Sequence, residues 1–376
     1  MRANENQFVV SMGSHSLQVV SPMASVRGAV EDALIGVFAI SDASPWPPQW
    51  TLDVRLLSGG EVAALSDYTK NVRLVVEEGT VEDRLLSFSA DSIVLARPET
   101  RHGGAYMLKV DHRLRRWTLQ IGSDSVRELR WVARLLRLYF GALAQAEGCV
   151  FVHAATVEWK GRGILFTGSG GSGKTSLSFL ACSRLGARFL SDDTTVVRQG
   201  HDGTLSVFGW PRRVALGLSL LIDEPVFAEI RKRSLRREGL DFSMPSQDAI
   251  SSEWARKNRV AFDPAEFLEI FGFETAPTTR PALVVFPKAI PDHEGWTVDA
   301  VQPNGDDELV PRCPLRQLEY VTDFLGVTPH ARPQPNAGAV SALEKLPTIA
   351  VRYGSSVMAD FERFWEDVVC RRLDGM

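Results

Sequence analysis

One segment of the chain has the residue types and spacing of a phosphate-binding loop. Gly168-Ser169-Gly170-Gly171-Ser172-Gly173-Lys174-Thr175 satisfies the Walker A pattern G-x-x-x-x-G-K-[ST], and Ser176 follows it. Apolar residues before the loop predict a strand over 164–167, and the residues after it predict a helix. Glycines let backbone N–H groups converge on phosphate oxygens, and the helix adds unpaired amides and the positive end of its dipole. We therefore predict a nucleoside triphosphate site formed by residues 169–176.

Two side chains of this loop indicate how a triphosphate and its metal are held. The ammonium group of Lys174 can neutralise the β- and γ-phosphates, and the hydroxyl of Thr175 can ligate Mg2+. ATP and Mg2+ are therefore the predicted cofactors. A glycine-rich turn with a fortuitous lysine is the alternative interpretation, and the order strand, loop, helix argues against it.

A pair of aspartates follows the loop at a short distance. Asp192 and Asp193 begin only 18 residues after Lys174, and a helix, a stop at Gly186 and a short strand over 187–190 fill the interval. Both carboxylates are therefore predicted at the carboxyl end of a strand, where open α/β sheets bind ligands. There they can hold the metal and accept a proton from an attacking hydroxyl. A turn or a helix cap is the alternative role.

A histidine upstream of the loop is the third candidate. If the segment KGRG closes a β-hairpin with Gly161 and Arg162 at its tip, His153 lies opposite Gly170 in the loop. An imidazole at that place can contact the transferred phosphoryl group or a reacting hydroxyl. A satisfied core histidine is the alternative, and the expected register is what favours the site.

The stretch HAATVEWKGRGILFTGSGGSGKTSLSFLACSRLGARFLSDDTTVV resembles the catalytic core of HPr kinase/phosphorylase and its relatives, whose sheet architecture is shared with phosphoenolpyruvate carboxykinase. The resemblance implies that Asp192 is the general base assisted by His153. It also implies that Thr175 and Asp193 hold Mg2+, with Lys174 at the catalytic centre. Weaker similarity to HPr-kinase-like proteins of peptide-modification gene clusters continues through PRRVALG, FPK and LPTIAVRYG. The glycine-rich signature of the bifunctional enzymes is missing, so HPr itself is not the expected acceptor.

The predicted function is that of an ATP-dependent kinase. It would transfer the γ-phosphoryl group of ATP to a hydroxyl of a peptide, a protein or a small metabolite. The alternative is a non-catalytic ATP-binding regulatory or sensor protein, and the two aspartates together with His153 favour the enzyme. A carboxykinase-like reaction on an oxo acid is a weaker alternative, since no additional metal ligands are identifiable upstream.

The rest of the chain supplies the elements that must position this site. Residues 1–122 alternate short apolar runs with turn signals, which predicts a β-rich N-terminal module. Apolar positions at intervals of three and four predict a connecting amphipathic helix over 123–148. Residues 149–376 form the predicted P-loop catalytic domain, of the α/β class, in which CVFVHAATVEW is expected to be a single strand.

The composition limits the classes of function. A chain of 376 residues with 44% hydrophobic residues, 23% charged residues and a net charge of −4 predicts about two folded domains. The acidic balance argues against a nucleic-acid partner. No stretch has the apolar length of a membrane helix, no signal peptide is visible, and the four scattered cysteines are typical of a reducing compartment. We expect a cytoplasmic protein, and leave homo-oligomer formation open.

Basic residues outside this core are weaker candidates. Arg212 and Arg213 can clamp a transferring phosphoryl group. Lys257 and Arg259 can close over the nucleotide. The basic run 231–239 can dock an acidic partner, although a solvated helical face is the simpler interpretation.

Overall fold

The computed structural model describes residues 6–69, 74–78, 81–89, 91–97, 104–222, 224–235, 258–290, 293–300 and 337–374. These residues fall into two compact units, one that ends at Glu147 and one that begins at Gly148. Within the described ranges, no helix combines the length and the apolar character needed to cross a membrane. Cys149, Cys182 and Cys370 are buried free thiols, and Cys313 lies outside the described residues.

The first unit is built on a nine-stranded sheet. Its strands are β1 (Asn6–Met12), β2 (His15–Ser21), β3 (Ala39–Ser41), β4 (Trp50–Leu56), β5 (Leu74–Glu78), β6 (Val81–Phe88), β7 (Ser92–Arg97), β8 (Tyr106–Asp111) and β9 (Arg116–Ile121). They pair in the order β3-β1-β2-β4-β9-β8-β7-β6-β5. Its helices are α1 (Ser25–Ala33), α2 (Gly59–Thr69) and α3 (Val126–Ala146).

Helix α3 packs inside the first unit. Its apolar residues recur every three or four positions, but burial is not confined to one face, because every residue from Trp131 to Leu136 is buried. Tyr139 meets the ring of Trp117 edge-on, and Phe140 meets Phe38 in the same way. The helix ends before Gly148, which has a φ of 83° and therefore a backbone conformation suited to glycine.

The described residues of the second unit form three sheets. Its strands are β10 (Val150–Val152), β11 (Ala154–Trp159), β12 (Arg162–Thr167), β13 (Arg188–Ser191), β14 (Thr195–Gln199), β15 (Leu205–Gly209), β16 (Val214–Gly217), β17 (Arg259–Phe262), β18 (Arg280–Ala289), β19 (Trp296–Ala300) and β20 (Thr348–Tyr353). The main helices are α4 (Lys174–Leu185), α5 (Phe227–Leu235), α6 (Pro264–Phe271), α7 (Ala337–Glu344) and α8 (Phe361–Trp365), the last of which continues through 366–373. The sheets have the orders β13-β11-β12-β18-β20-β19, β10-β14-β15 and β16-β17.

The strand directions in the six-stranded sheet bring four strand ends to one edge. β12, β18 and β20 run parallel to one another, so they end together at Thr167, Ala289 and Tyr353. β13 is antiparallel to β11, which is itself antiparallel to β12, so β13 also ends at this edge, at Ser191. The loop that follows β12 and the aspartates that follow β13 therefore start from the same edge of the sheet.

Both faces of the six-stranded sheet are covered, which explains the apolar run in β12. Ile164 and Phe166 lie in one core with Leu177 of α4, whereas Leu165 between them packs in a second core with Leu343 of α7. Successive side chains of a strand point to opposite faces. A strand buried on both sides therefore needs apolar residues at every position.

Two expectations about the segment before the loop are wrong. The single strand expected for CVFVHAATVEW is interrupted at His153, so that β10 pairs with β14 while β11 pairs with β12. The hairpin tip is Lys160-Gly161, with φ values of 52° and 78°, because this two-residue turn needs positive φ at both positions. Trp159 therefore pairs with Arg162, and extending the register places His153 opposite Gly168, two residues earlier than expected.

Candidate active site

The phosphate-binding loop turns in a way that requires glycine. Gly168, Gly171 and Gly173 have φ values of 143°, 78° and 103°, a region that other residues rarely adopt. The N–H of Leu177 donates to the carbonyl of Gly173 over 3.0 Å, which starts the hydrogen-bond ladder of α4. The N–H groups of residues 174–176, the first of α4, lie where a helix leaves its amide donors without an intrahelical partner, so the loop and helix together form an anion-binding geometry.

The ammonium group of Lys174 lies across this loop. Its Nζ donates to the carbonyl oxygens of Gly168 at 2.9 Å and Ser169 at 3.0 Å. Burial lowers the pKa of Lys174, and the negative charges of Asp193 and Asp192 act against that lowering. The lysine is thus close enough to both carboxylates for their fields to matter.

Asp192 is the more deeply buried aspartate of the pair. Burial raises its pKa to about 6, and the charge of Asp193 adds to the effect. Hydrogen bonds from the Thr175 hydroxyl and the Ala215 backbone, together with the charge of Lys174, oppose the rise. The Oδ1 atom of Asp192 is buried and has no hydrogen-bond partner among the described residues.

These groups fit a divalent cation. A buried carboxylate oxygen without a partner is costly unless a proton or a cation compensates it. Thr175 and Asp192 present a hydroxyl and a carboxylate to one place, and Mg2+ commonly uses one or two carboxylates plus phosphate oxygens and water. No cluster of three or more His, Cys, Asp or Glu side chains suited to a metal ion occurs in the described part of the chain. A nucleotide-linked Mg2+ does not need such a cluster.

Asp193 is more exposed and has different neighbours. Its Oδ1 lies 3.4 Å from Nδ1 of His153, and its Oδ2 lies 3.6 Å from Nε of Arg212. The Thr194 hydroxyl donates to Oδ2 over 3.2 Å. The backbone of His153 makes a separate contact. Its carbonyl oxygen accepts a 2.9 Å hydrogen bond from the hydroxyl of Thr167, the residue just before the loop. The strand break at His153 thus brings its ring to Asp193.

A buried chain of hydroxyl groups fixes the segment that carries the aspartates. The Thr195 hydroxyl lies 2.7 Å from the hydroxyl oxygens of both Thr156 and Ser191, and it donates to the carbonyl of Ala154 at 3.1 Å. Ser191 precedes the aspartate pair and Thr195 follows it. Sequence reasoning missed this network, although the run of polar residues around the aspartates is its signal.

Of the two predicted arginines downstream, one reaches the site. Arg212 contacts Asp193, as described above. Arg213 instead lies 3.2 Å from Asp263 and donates to the carbonyl of Ala261 over 3.0 Å. It thereby ties β16, β17 and the start of α6 together.

Arg259 is the first residue of β17. It pairs in register with Gly217 of β16, and its side chain is exposed. Its positive charge contributes to lowering the pKa of Lys174, a smaller effect than burial. Lys257 and residues 236–239 of the basic run lie outside the described residues.

Comparison with known proteins gives one family. No curated protein matches the chain. A family model matches residues 121–219 of the chain. This range contains the loop, both aspartates, His153 and Arg212, and it ends before Arg259. Over this range the chain is similar to the family described as SynChlorMet cassette protein ScmC.

Proposed function

We propose that the second unit is an ATP-dependent kinase, of the HPr-kinase-like P-loop type, that transfers the γ-phosphoryl group to a hydroxyl of a peptide, a protein or a small metabolite. The observation that carries the proposal is the meeting of loop and carboxylates at one sheet edge. Lys174 is within the electrostatic reach of Asp192 and Asp193, and Thr175 interacts with Asp192. A protein that only binds a nucleotide needs the loop. Two acidic side chains beside the loop can in addition supply the metal ligand and the proton acceptor of phosphoryl transfer.

Binding would begin at the loop. The N–H groups at the start of α4 would point at the phosphate oxygens, and Lys174 would exchange its bonds to Gly168 and Ser169 for the β- and γ-phosphates. Thr175 and Asp192 would hold Mg2+, which would supply neutralisation of charge on the same phosphates. Charge-neutralising contacts of this kind account for most of the catalysis in phosphoryl transfer.

The two aspartates have different roles in this proposal. Because Thr175 interacts with Asp192, we assign Asp192 to the metal and Asp193 to the proton. Asp193 accepts the proton of the attacking hydroxyl, whose oxygen bonds to the γ-phosphorus as the bond to the β,γ-bridging oxygen breaks and ADP leaves. His153, 3.4 Å from Asp193, orients this carboxylate. This assignment reverses the roles that the resemblance implies for Asp192 and Asp193.

The test is transfer of labelled phosphate. The protein is incubated with γ-labelled ATP, Mg2+ and a panel of free serine and threonine, small hydroxy metabolites and candidate peptides. We expect an acceptor to be labelled by the wild type and by Asp202→Asn, a control in an exposed hairpin. Asp193→Asn should label none. ATP binding without transfer to any acceptor would favour the regulatory or sensor protein, and absence of ATP binding would refute both functions.

A further inference from the structure

Tyr353 lies against the phosphate loop at the carboxyl end of β20. Its hydroxyl donates to the carbonyl oxygen of Gly173, the residue before Lys174, over 3.2 Å. On the neighbouring strand, Ala289 pairs in register with Tyr353, and its N–H donates to the carbonyl of Ser172 over 3.0 Å. Two adjacent strand ends therefore hold two successive carbonyl groups of the loop.

The hydroxyl of Tyr353 fits closely against Gly173. A Cβ atom at Gly173 would lie 1.8 Å from that oxygen, so only glycine leaves room for it. The carbonyl of Gly173 also accepts the first hydrogen bond of α4, from Leu177. The tyrosine hydroxyl therefore acts where the loop becomes a helix, which is also where backbone N–H groups face a bound anion.

The tyrosine is itself rigidly placed. Its side chain is buried, and its ring packs against Phe364 with a centroid distance of 5.9 Å. Its carbonyl oxygen accepts a 2.8 Å hydrogen bond from the N–H of Ile290. Burial raises the pKa of the Tyr353 phenol, so the hydroxyl remains a donor across the physiological range. The contact with Gly173 therefore restrains the loop at this residue.

We propose that Tyr353 is a positioning residue for the phosphate-binding loop, which holds the Gly173 carbonyl so that the N–H groups of residues 173–175 point at the phosphates of the nucleotide. The inference rests on the proposed nucleotide site and adds a residue from a strand far along the chain. Without the tyrosine hydroxyl, the Gly173 carbonyl keeps the hydrogen bond from Leu177, and the loop gains conformational freedom that nucleotide binding must remove. The loss should therefore appear in phosphate affinity more than in folding.

Tyr353→Phe tests this because it removes one oxygen and keeps the ring. We expect the dissociation constants of MgATP and of inorganic tripolyphosphate to rise by the same factor, about fivefold, the effect of one net hydrogen bond. Tyr139→Phe is the matched control. Its buried hydroxyl bonds the carbonyl of Ser16 at 3.3 Å and Oε1 of Gln49 at 3.0 Å in the first unit. It should leave both constants unchanged.

Amide hydrogen exchange supplies a readout that does not need nucleotide. Exchange at residues 172–176 should accelerate in Tyr353→Phe and stay at the wild-type rate in Tyr139→Phe. Wild-type affinity together with wild-type exchange in Tyr353→Phe would overturn the inference and leave the proposed function intact. A loss of MgATP affinity without a loss of tripolyphosphate affinity would overturn it as well. If the wild-type protein binds neither ligand, the proposed function fails. Unchanged exchange in Tyr353→Phe would then refute the positioning role as a separate result.

Discussion

Nδ1 of His153 lies 3.4 Å from Oδ1 of Asp193, whereas the preceding residue, Asp192, interacts with Thr175 of the phosphate loop. Both residues lie in a bend just after β13, which ends at Ser191. The two adjacent carboxylates there reach different partners. Under the proposed function, Asp192 would serve the half of the site that holds the phosphates and metal, and Asp193 the half that receives the acceptor.

This division predicts different losses for two similar substitutions. Asp192→Asn should weaken Mg2+-dependent ATP binding by about tenfold or more, because a carboxylate is a much better Mg2+ ligand than an amide. Asp193→Asn should leave that binding within about twofold and lower phosphoryl transfer by about 100-fold or more. Calorimetry with and without Mg2+, and transfer from labelled ATP, measure the two effects. The opposite pattern would restore the roles that the resemblance implies.

Asp192 also makes the stability of the ligand-free protein depend on pH. Burial raises the pKa of Asp192 to about 6, above the 3.8 of an unperturbed aspartate. Between these values the folded state binds more protons than the unfolded state, so this group makes stability fall as pH rises through that window. At pH 7.5, Asp192→Asn should raise the free energy of unfolding by about 1–3 kcal/mol.

Urea unfolding without Mg2+ or nucleotide, at pH 4 and pH 7.5, measures this effect. The gain from Asp192→Asn should be present at pH 7.5 and nearly absent at pH 4, where the wild-type carboxyl is protonated in the folded state. Asp202→Asn is the control, because Asp202 is exposed and its pKa is lowered by the Thr204 hydroxyl. A gain of the same size in Asp202→Asn would show that the stabilisation is not due to burial.

Much of the loop region could be predicted from local sequence. Glycines at positions that need positive φ, an apolar strand and a following helix are all encoded within about one βα unit. The interval between Lys174 and Asp192 also predicts that the aspartates lie beside the loop, because a single helix and a short strand of fixed rise can span it in few ways. The structure accordingly brings both aspartates beside the loop.

The features that sequence reasoning missed depend on distant pairings. Tyr353 is 180 residues from Gly173 in the chain, and nothing in its local sequence marks a contact with the loop. The break at His153 arises because β10 pairs with β14, whereas β11 pairs with β12. The predicted hairpin register is wrong for a local reason, because Lys160, rather than a glycine or an asparagine, takes the first position of positive φ.

Arg259 is expected to bind the polyphosphate together with Lys174. Its positive charge contributes to lowering the pKa of Lys174, so the two cations lie within electrostatic reach of each other. An anion between two such cations relieves their repulsion. Arg259→Gln should weaken ATP binding by about fivefold to 30-fold. Arg198→Gln, an exposed arginine on β14, is the control, and equal losses in the two variants would indicate a general charge effect.

Lys174→Ala should separate nucleotide binding from folding. The ammonium group bonds only loop carbonyls at 2.9 Å and 3.0 Å in the described structure, and burial disfavours its charge, which lowers its pKa. Its removal therefore costs little stability, while the loss of a charged hydrogen bond to phosphate should weaken ATP binding by about tenfold to 100-fold. Calorimetry and thermal unfolding measure the two quantities, with the exposed Lys345→Ala as control. Unchanged ATP affinity in Lys174→Ala would place the nucleotide elsewhere, because no bound triphosphate in this loop can avoid that ammonium group.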